Sequence, residues 1–310
     1  MARKPRLHYP GAFYHVILRG NAGQDIFFLK KDRGRFFSLL QEGIERYEFR
    51  VHAYCLMTNH IHLALQVGDV TLSRIMQNVS FRYTRYINRS RKQVGHLFQG
   101  RYKALLIDAD SYLLELVRYI HNNPVRAGQS KTAEGYLWSS HRVYLGKVKA
   151  PWLTTEWILS QFAENRKRAV ELFGDFVSNG KDEGHREEFY QGNVEGRILG
   201  EDRFAEEALQ KGSQQLARQA SLEQVLQTVC EQYKISLSEL SAGSRLRRIA
   251  EARAVAAFIV REMDHLSLTD LSRMLGRDLS GLSQAASRLD KRLRSDVEMG
   301  KKIHKMLQLL

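Results

Sequence analysis

Cysteine and proline are scarce, with two and four copies in 310 residues. Cys55 and Cys230 lie far apart, which excludes a disulfide framework and a CxxC ligand set and leads us to expect a reducing cytoplasm. No stretch approaches the ~18 consecutive apolar residues of a membrane span, so no membrane partner is expected. Arg3 and Lys4 are not followed by an apolar run of about seven residues, so no secretory signal is expected. A P-loop is also lacking: Gly174 to Gly180-Lys181 has five intervening residues and then Asp182 where a hydroxyl residue is required. Negative charge is short as well, at 34 acidic against 48 basic residues, a formal +14. That excess favours a polyanionic partner such as nucleic acid. It is unevenly spread: residues 1–128 hold 20 basic and 9 acidic groups, 129–220 hold 13 and 14, and 221–310 hold 15 and 11.

The length allows two domains at roughly 150 residues each. Phe13 to Leu18 reads as a buried strand stopped by Arg19-Gly20-Asn21. Residues 33–47 carry Phe36, Phe37, Leu39, Leu40, Ile44 and Tyr47 at helical spacing, and strand chemistry returns at Phe49 to Leu56 and His60 to Val67. A second helix after Asp69 carries Leu72, Ile75, Met76, Val79, Tyr83 and Ile87, and Arg101 to Ile107 is a further strand. Asp110 then caps a helix with the stripe Leu113, Leu116, Val117 and Ile120, ended by Pro124. This predicts an α+β domain over 1–150, one small sheet backed by helices. Residues 151–218 read as a partly helical linker region without chemistry. From 219 to 310 the pattern is almost purely helical.

Two segments can do chemistry. Alternate strand residues share a face, so His60 and His62 present two imidazoles together while Ile61 and Leu63 face the other layer. Such a pair can hold a divalent metal if a third ligand exists; the bland alternative is two partly exposed histidines. On the later helix Tyr119 and Asn123 are four apart and share a face beside the apolar stripe. A tyrosine hydroxyl can be a covalent nucleophile with an amide oxygen one turn on, or the pair can be a packed tyrosine and a helix stop. Tyr112 is the rival nucleophile. Arg82, Arg85 and Arg89 form a stripe interleaved with Tyr83 and Tyr86, suited to phosphate contact and base stacking or to plain solvation.

Met57-Thr58-Asn59-His60-Ile61-His62-Leu63, Phe98-Gln99-Gly100-Arg101-Tyr102-Lys103 and Tyr119-Ile120-His121-Asn122-Asn123-Pro124-Val125 together resemble the HUH single-tyrosine transposases of the IS200 type, in particular the REP-associated tyrosine transposases. The resemblance covers most of residues 1–145, with Thr58 where proline is usual. It implies an HUH/ferredoxin-like antiparallel sheet, Mg²⁺ or Mn²⁺ held by His60, His62 and Asn123, and Tyr119 attacking single-stranded hairpin DNA to form a 5′-phosphotyrosine. It also implies DNA contacts from Arg101 and Lys103. Whether the tyrosine comes from the same chain or from the second copy of a homodimer stays open.

Leu222 to Leu293 resembles the DNA-binding domain of the bacterial replication initiator DnaA. The resemblance rests on Val229-Cys230-Glu231-Gln232-Tyr233-Lys234-Ile235, Ser244-Arg245-Leu246-Arg247-Arg248, Ser267-Leu268-Thr269-Asp270-Leu271 and Gly276-Arg277-Asp278. It implies a helix-turn-helix at about 267–289, a recognition helix starting near Asp278, duplex-DNA contacts from Arg277, Asp278 and Ser280, and Arg245 in a minor groove. Asp278-Leu279-Ser280-Gly281 departs from the initiator's D-H-T-T. The expected function is metal-dependent strand cleavage and transfer with added duplex binding, in a nucleoid-associated bacterial protein. The alternative is a non-catalytic DNA-binding regulator derived from a transposase.

Overall fold

The computed structural model describes residues 6–217, 220–244, 246–263, 265–293 and 295–310. The chain forms two compact units, residues 1–213 and 214–310. In the first, the order is β1 (Phe13–Arg19), α1 (Lys30–Tyr47), β2 (Arg50–Leu56), β3 (His60–Gln66), α2 (Leu72–Arg91), β4 (Lys103–Ile107) and α3 (Ala109–Arg126). The short helices α4 (His141–Tyr144) and α5 (Glu156–Leu159) follow, then α6 (Arg166–Asn179), α7 (Glu188–Gln191), β5 (Ile198–Leu199) and α8 (Asp202–Ala217). Among the described residues no helix is long and apolar enough to cross a membrane.

The sheet order is β2-β3-β1-β4-β5, antiparallel except for the β4–β5 pair. In an antiparallel pair, residues directly opposite each other lie on one face. Ile17 pairs with His62 and His15 with Ala64, so His15, Ile17, His60 and His62 share a face. On the other face Tyr54 of β2 meets Phe37 of α1, with ring centroids 5.0 Å apart. The α1 stripe buries Phe36, Leu39, Leu40 and Tyr47, as its 3.6-residue spacing requires.

Asp32 ties this layer together. Its carboxylate accepts from the backbone N–H of Phe28 and Leu29 at 3.0 and 2.8 Å, capping α1, and from the Tyr86 hydroxyl at 3.1 Å. The side chain is buried. Asp32→Ala strands two N–H groups and is expected to destabilise the unit by about 3 kcal/mol, read as a lowered urea midpoint with an unchanged slope.

Three expectations need correction. The cap of α3 is Asp108, which accepts from Asp110 N–H, and α3 runs through Pro124 to Arg126. Proline so close to a helix end forfeits one hydrogen bond only, and the Ala127 N–H still reaches the Asn123 carbonyl. Residues 151–213 are not a linker. Ala169, Phe173 and Val177 of α6 are buried, Phe173 stacks on Tyr144 at 4.5 Å, and Ile198 and Leu199 pair with Leu106 and Ile107. A two-residue strand and a four-residue helix are too short to show periodicity, yet both are pinned by β4 and α3. Tyr83 and Tyr86 are not stacking platforms: Tyr83 is buried with its hydroxyl on the Ile26 carbonyl at 2.8 Å, and Tyr86 is held by Asp32.

The second unit is helical: α9 (Leu222–Tyr233), α10 (Leu237–Ser241), α11 (Arg247–Glu262), α12 (Leu268–Leu275), α13 (Leu279–Arg292) and α14 (Val297–Gln308). Its core is built on α11, where Ala252, Val255, Ala256, Ile259 and Val260 are buried. Between α12 and α13 the chain turns at Gly276, whose φ of +59° is the left-handed cap that glycine adopts at little cost.

Candidate active site

His62 is fully buried on β3, and its ring lies nearly parallel to that of His15 of β1, with centroids 5.1 Å apart. His15 Nδ1 lies 2.8 Å from the Phe189 carbonyl oxygen, and His15 Nε2 lies 2.8 Å from His62 Nδ1. A carbonyl only accepts, so His15 Nδ1 carries the proton and its Nε2 is left to accept from His62 Nδ1–H. Burial keeps both rings neutral: it pushes His15 down to about 4 and His62 well below its ordinary value. The lone pair of His62 is therefore on Nε2, a buried atom with no hydrogen-bond partner among the described residues.

His60 repeats the pattern. Its Nδ1 faces the Asn59 side-chain oxygen at 2.7 Å, which leaves Nε2 as the acceptor, and its ring lies 5.0 Å from that of His62. Burial, with Arg19 across the strand pair adding to it, lowers His60 to about 4.

From α3, the Tyr119 ring approaches His62 to 6.4 Å. Tyr119 is 1% exposed, enclosed by Phe189 at 4.9 Å and Tyr190 at 6.3 Å. Arg126 lies over its ring at 3.7 Å and donates to its backbone carbonyl at 2.6 Å. Burial raises the Tyr119 phenol well above its usual range, the neighbouring Tyr190 phenol adds to that, and Arg126 opposes it. One turn on, Asn123 is buried with its amide nitrogen unpartnered among the described residues.

The structure thus brings His60, His62 and Tyr119 together, with Asn123 on the same helix face. Tyr112, seven residues before Tyr119, sits about 10 Å away along the helix, half-buried against the core. Among the described residues no group of three His, Cys, Asp or Glu could hold a metal ion. The two imidazole nitrogens with free lone pairs suit a divalent cation, and of the Asn123 amide only its oxygen is able to add a ligand, the unpartnered nitrogen being a hydrogen-bond donor.

Sequence reasoning missed His15, Phe189, Tyr190 and Arg126. A histidine inside the apolar run Phe13 to Leu18 was the available signal for His15, because a buried imidazole needs a partner. Nothing local marked Tyr190. It is held in place through Arg186, whose guanidinium meets Glu115 of α3 at 2.7 Å.

The basic residues are more scattered than the stripe suggested. Arg85, Arg89, Arg101 and Lys103 are exposed, whereas Arg82 is ion-paired with Glu42 of α1. In the second unit Asp278 caps α13, accepting from the Gly281 N–H at 2.7 Å and from the Ser280 hydroxyl at 2.6 Å. The Arg277 guanidinium donates to the Ala242 carbonyl. Arg245 lies outside the described residues.

Comparison with known proteins follows the two-unit division. The family model for the IS200-like transposases matches residues 9–123, and that for the helix-turn-helix of the bacterial DnaA protein matches residues 222–288. The chromosomal replication initiator DnaA of Thermomicrobium roseum is 35% identical over 98 residues, 31% of this chain and 21% of that protein. Its counterpart in Rickettsia africae is 28% identical over 91 residues, 29% of this chain and 20% of that protein. The chain therefore spans about a fifth of the length of these curated relatives. A solved REP-associated tyrosine transposase bound to a REP hairpin aligns with 50% of this chain and 98% of its own, at 15% identity and a TM-score of 0.42. The chain is therefore similar to the IS200-like transposases over residues 9–123 and to the helix-turn-helix of the bacterial DnaA protein over residues 222–288.

Proposed function

We propose that the N-terminal unit cleaves and rejoins single-stranded, hairpin-forming DNA through a 5′-phosphotyrosine at Tyr119, and that the C-terminal unit binds duplex DNA. The observation that carries this reading is the buried, unpartnered Nε2 of His62, left with its lone pair by the His15 relay on a ring 6.4 Å from that of Tyr119. His60, His62 and Asn123 would hold a divalent cation, and two imidazoles suit Mn²⁺ better than Mg²⁺, which prefers oxygen. Such a cation, when bound, draws negative charge from a phosphate oxygen and eases departure of the 3′ oxygen. Tyr119 attacks the phosphorus through Oη, its proton passing to the departing 3′ oxygen, and Arg126 favours the developing phenolate charge. Arg19, Arg85, Arg89, Arg101 and Lys103 neutralise strand phosphates. A phosphodiester is exchanged for a phosphotyrosyl ester of comparable energy, so rejoining needs no nucleoside triphosphate.

In the second unit the first turn of α13 would enter the major groove. The Asp278 carboxylate is committed to the helix cap, which leaves Ser280 and the basic residues around it to meet DNA. Tethering the two units raises the effective concentration of one DNA site near the other.

The test is an SDS-stable adduct with a hairpin-containing oligonucleotide, formed with Mn²⁺, abolished by EDTA and mapped to the Tyr119 peptide by mass spectrometry. Tyr119→Phe is expected to lose the adduct on that peptide. The near-complete enclosure of Tyr119 favours a second reading, a DNA-binding regulator without chemistry. Binding of the hairpin with no adduct on any tyrosine would establish that reading instead.

A further inference from the structure

We propose that Phe81 of α2 is a stacking platform for an unpaired DNA base, placed on the sheet face opposite the candidate active site; this rests on the reading of the N-terminal unit as a binder of single strands. Tyr83 and Tyr86, the aromatics that the helix pattern offered for this task, are taken up by the fold. Phe81 is not: it is 59% exposed. The helix packs on α1, with the Tyr83 ring 5.2 Å from that of Phe36, and α1 covers the face turned away from His60 and His62. Phe81 therefore stands on the outside of that helical layer.

The charge around the ring says what covers it. Phe81, Arg85 and Arg89 follow at intervals of four, about 6 Å apart along the helix axis, and the Arg85 guanidinium lies 5.7 Å from the Phe81 ring centroid. Both arginines are exposed and neither is ion-paired among the described residues, whereas Glu42 claims Arg82. The twenty residues of α2 include five arginines and no acidic group. A nucleotide supplies both halves of what this row lacks, a flat π-face for the phenyl ring and a phosphate for the guanidinium beside it. An apolar protein surface would leave the two cations uncompensated. A base inside a duplex has both faces already stacked, so the platform selects an unpaired position in a loop, a bulge or a single-stranded extension. Phe81 touches no reacting atom. It positions the strand on one layer while the bond is cut on the other.

The experiment measures binding by fluorescence anisotropy in EDTA, where no cleavage occurs. The full chain, Phe81→Ala, Phe81→Trp and Arg85→Gln are titrated with a hairpin carrying unpaired nucleotides and with the same hairpin made abasic at those positions. Excess unlabelled blunt duplex occupies the C-terminal unit. Phe81 is exposed, so its replacement leaves no cavity, and circular dichroism checks the fold. Phe81→Ala is expected to weaken binding of the intact hairpin about 10- to 100-fold, the range for one base stacked on an aromatic ring. The abasic hairpin should bind the wild type as weakly as that and lose nothing further in Phe81→Ala, while Phe81→Trp keeps the wild-type affinity. Arg85→Gln should lower the slope of log affinity against log salt by about 0.7. Unchanged affinity in Phe81→Ala, or an equal loss on intact and abasic hairpins, overturns the inference and leaves the proposed function standing. No binding of the intact hairpin by the wild type overturns both.

Discussion

Acidification from pH 7 to pH 4 is expected to unfold the N-terminal unit while the C-terminal unit stays folded. His15, His52 and His141 are buried, and burial pushes each down to about 4. His62 and His121 are lowered further by the same cause. In the unfolded chain these imidazoles take up protons near 6.5. Between that value and about 4 the unfolded state binds more protons, so stability is full above 6.5 and falls steadily as the pH drops toward 4. Each depression of this size is worth on the order of 3 kcal/mol, and three of them rival the roughly 5–15 kcal/mol that holds a domain together. The C-terminal unit has no buried histidine among its described residues, His265 and His304 both being exposed. All three tryptophans, Trp138, Trp152 and Trp157, belong to the N-terminal unit, so their fluorescence reports it alone while helical circular dichroism follows both. Native tryptophan emission persisting below pH 4 would sink the idea.

Removing the inward imidazole is the second large effect. His62→Ala deletes the buried nitrogen and is expected to slow cation-dependent cleavage about 10²- to 10³-fold, the range seen when a single charge-stabilising contact is lost. His15 acts one step back. Replaced by Phe, it no longer accepts from His62 Nδ1–H, so the proton is free to sit on Nε2 and block the donor atom. Losses of this outer kind weaken metal binding about 10- to 100-fold, and titration with Mn²⁺ alone measures it without any DNA. His15→Gln offers a carbonyl oxygen to His62 and an N–H to Phe189, and should recover most of the affinity. Equal Mn²⁺ binding by wild type and His15→Phe, or no recovery in His15→Gln, would show that the relay does not set the tautomer.

Much of the site was legible before any fold was known, and the part that was not has a common cause. Period-two alternation in His60-Ile61-His62-Leu63 and the four-residue spacing of Tyr119 and Asn123 are local properties of a strand and a helix. They hold wherever the elements are placed. The DnaA-like segment was legible for the same reason, its helix ends being marked by Ser267, Gly276 and Asp278. The basic stripe on α2 misled because charge spacing says nothing about partners. Glu42 of α1 claims Arg82, and Asp32 and Ile26 claim the tyrosines between. The middle segment misled because a polar, glycine-punctuated stretch looks the same whether it is free or pinned.

The sequence by itself determined which strand carries the paired imidazoles, which helix carries the tyrosine, and where the second, all-helical unit lies, because each depends on neighbours within a few residues. Only the tertiary structure decided that His15 orients His62 from 47 positions away, that Arg126 lies over Tyr119, and that Phe189 and Tyr190 close over both. Those contacts come from strand register and from ion pairs between distant segments, and no local pattern encodes the partner of a buried polar atom.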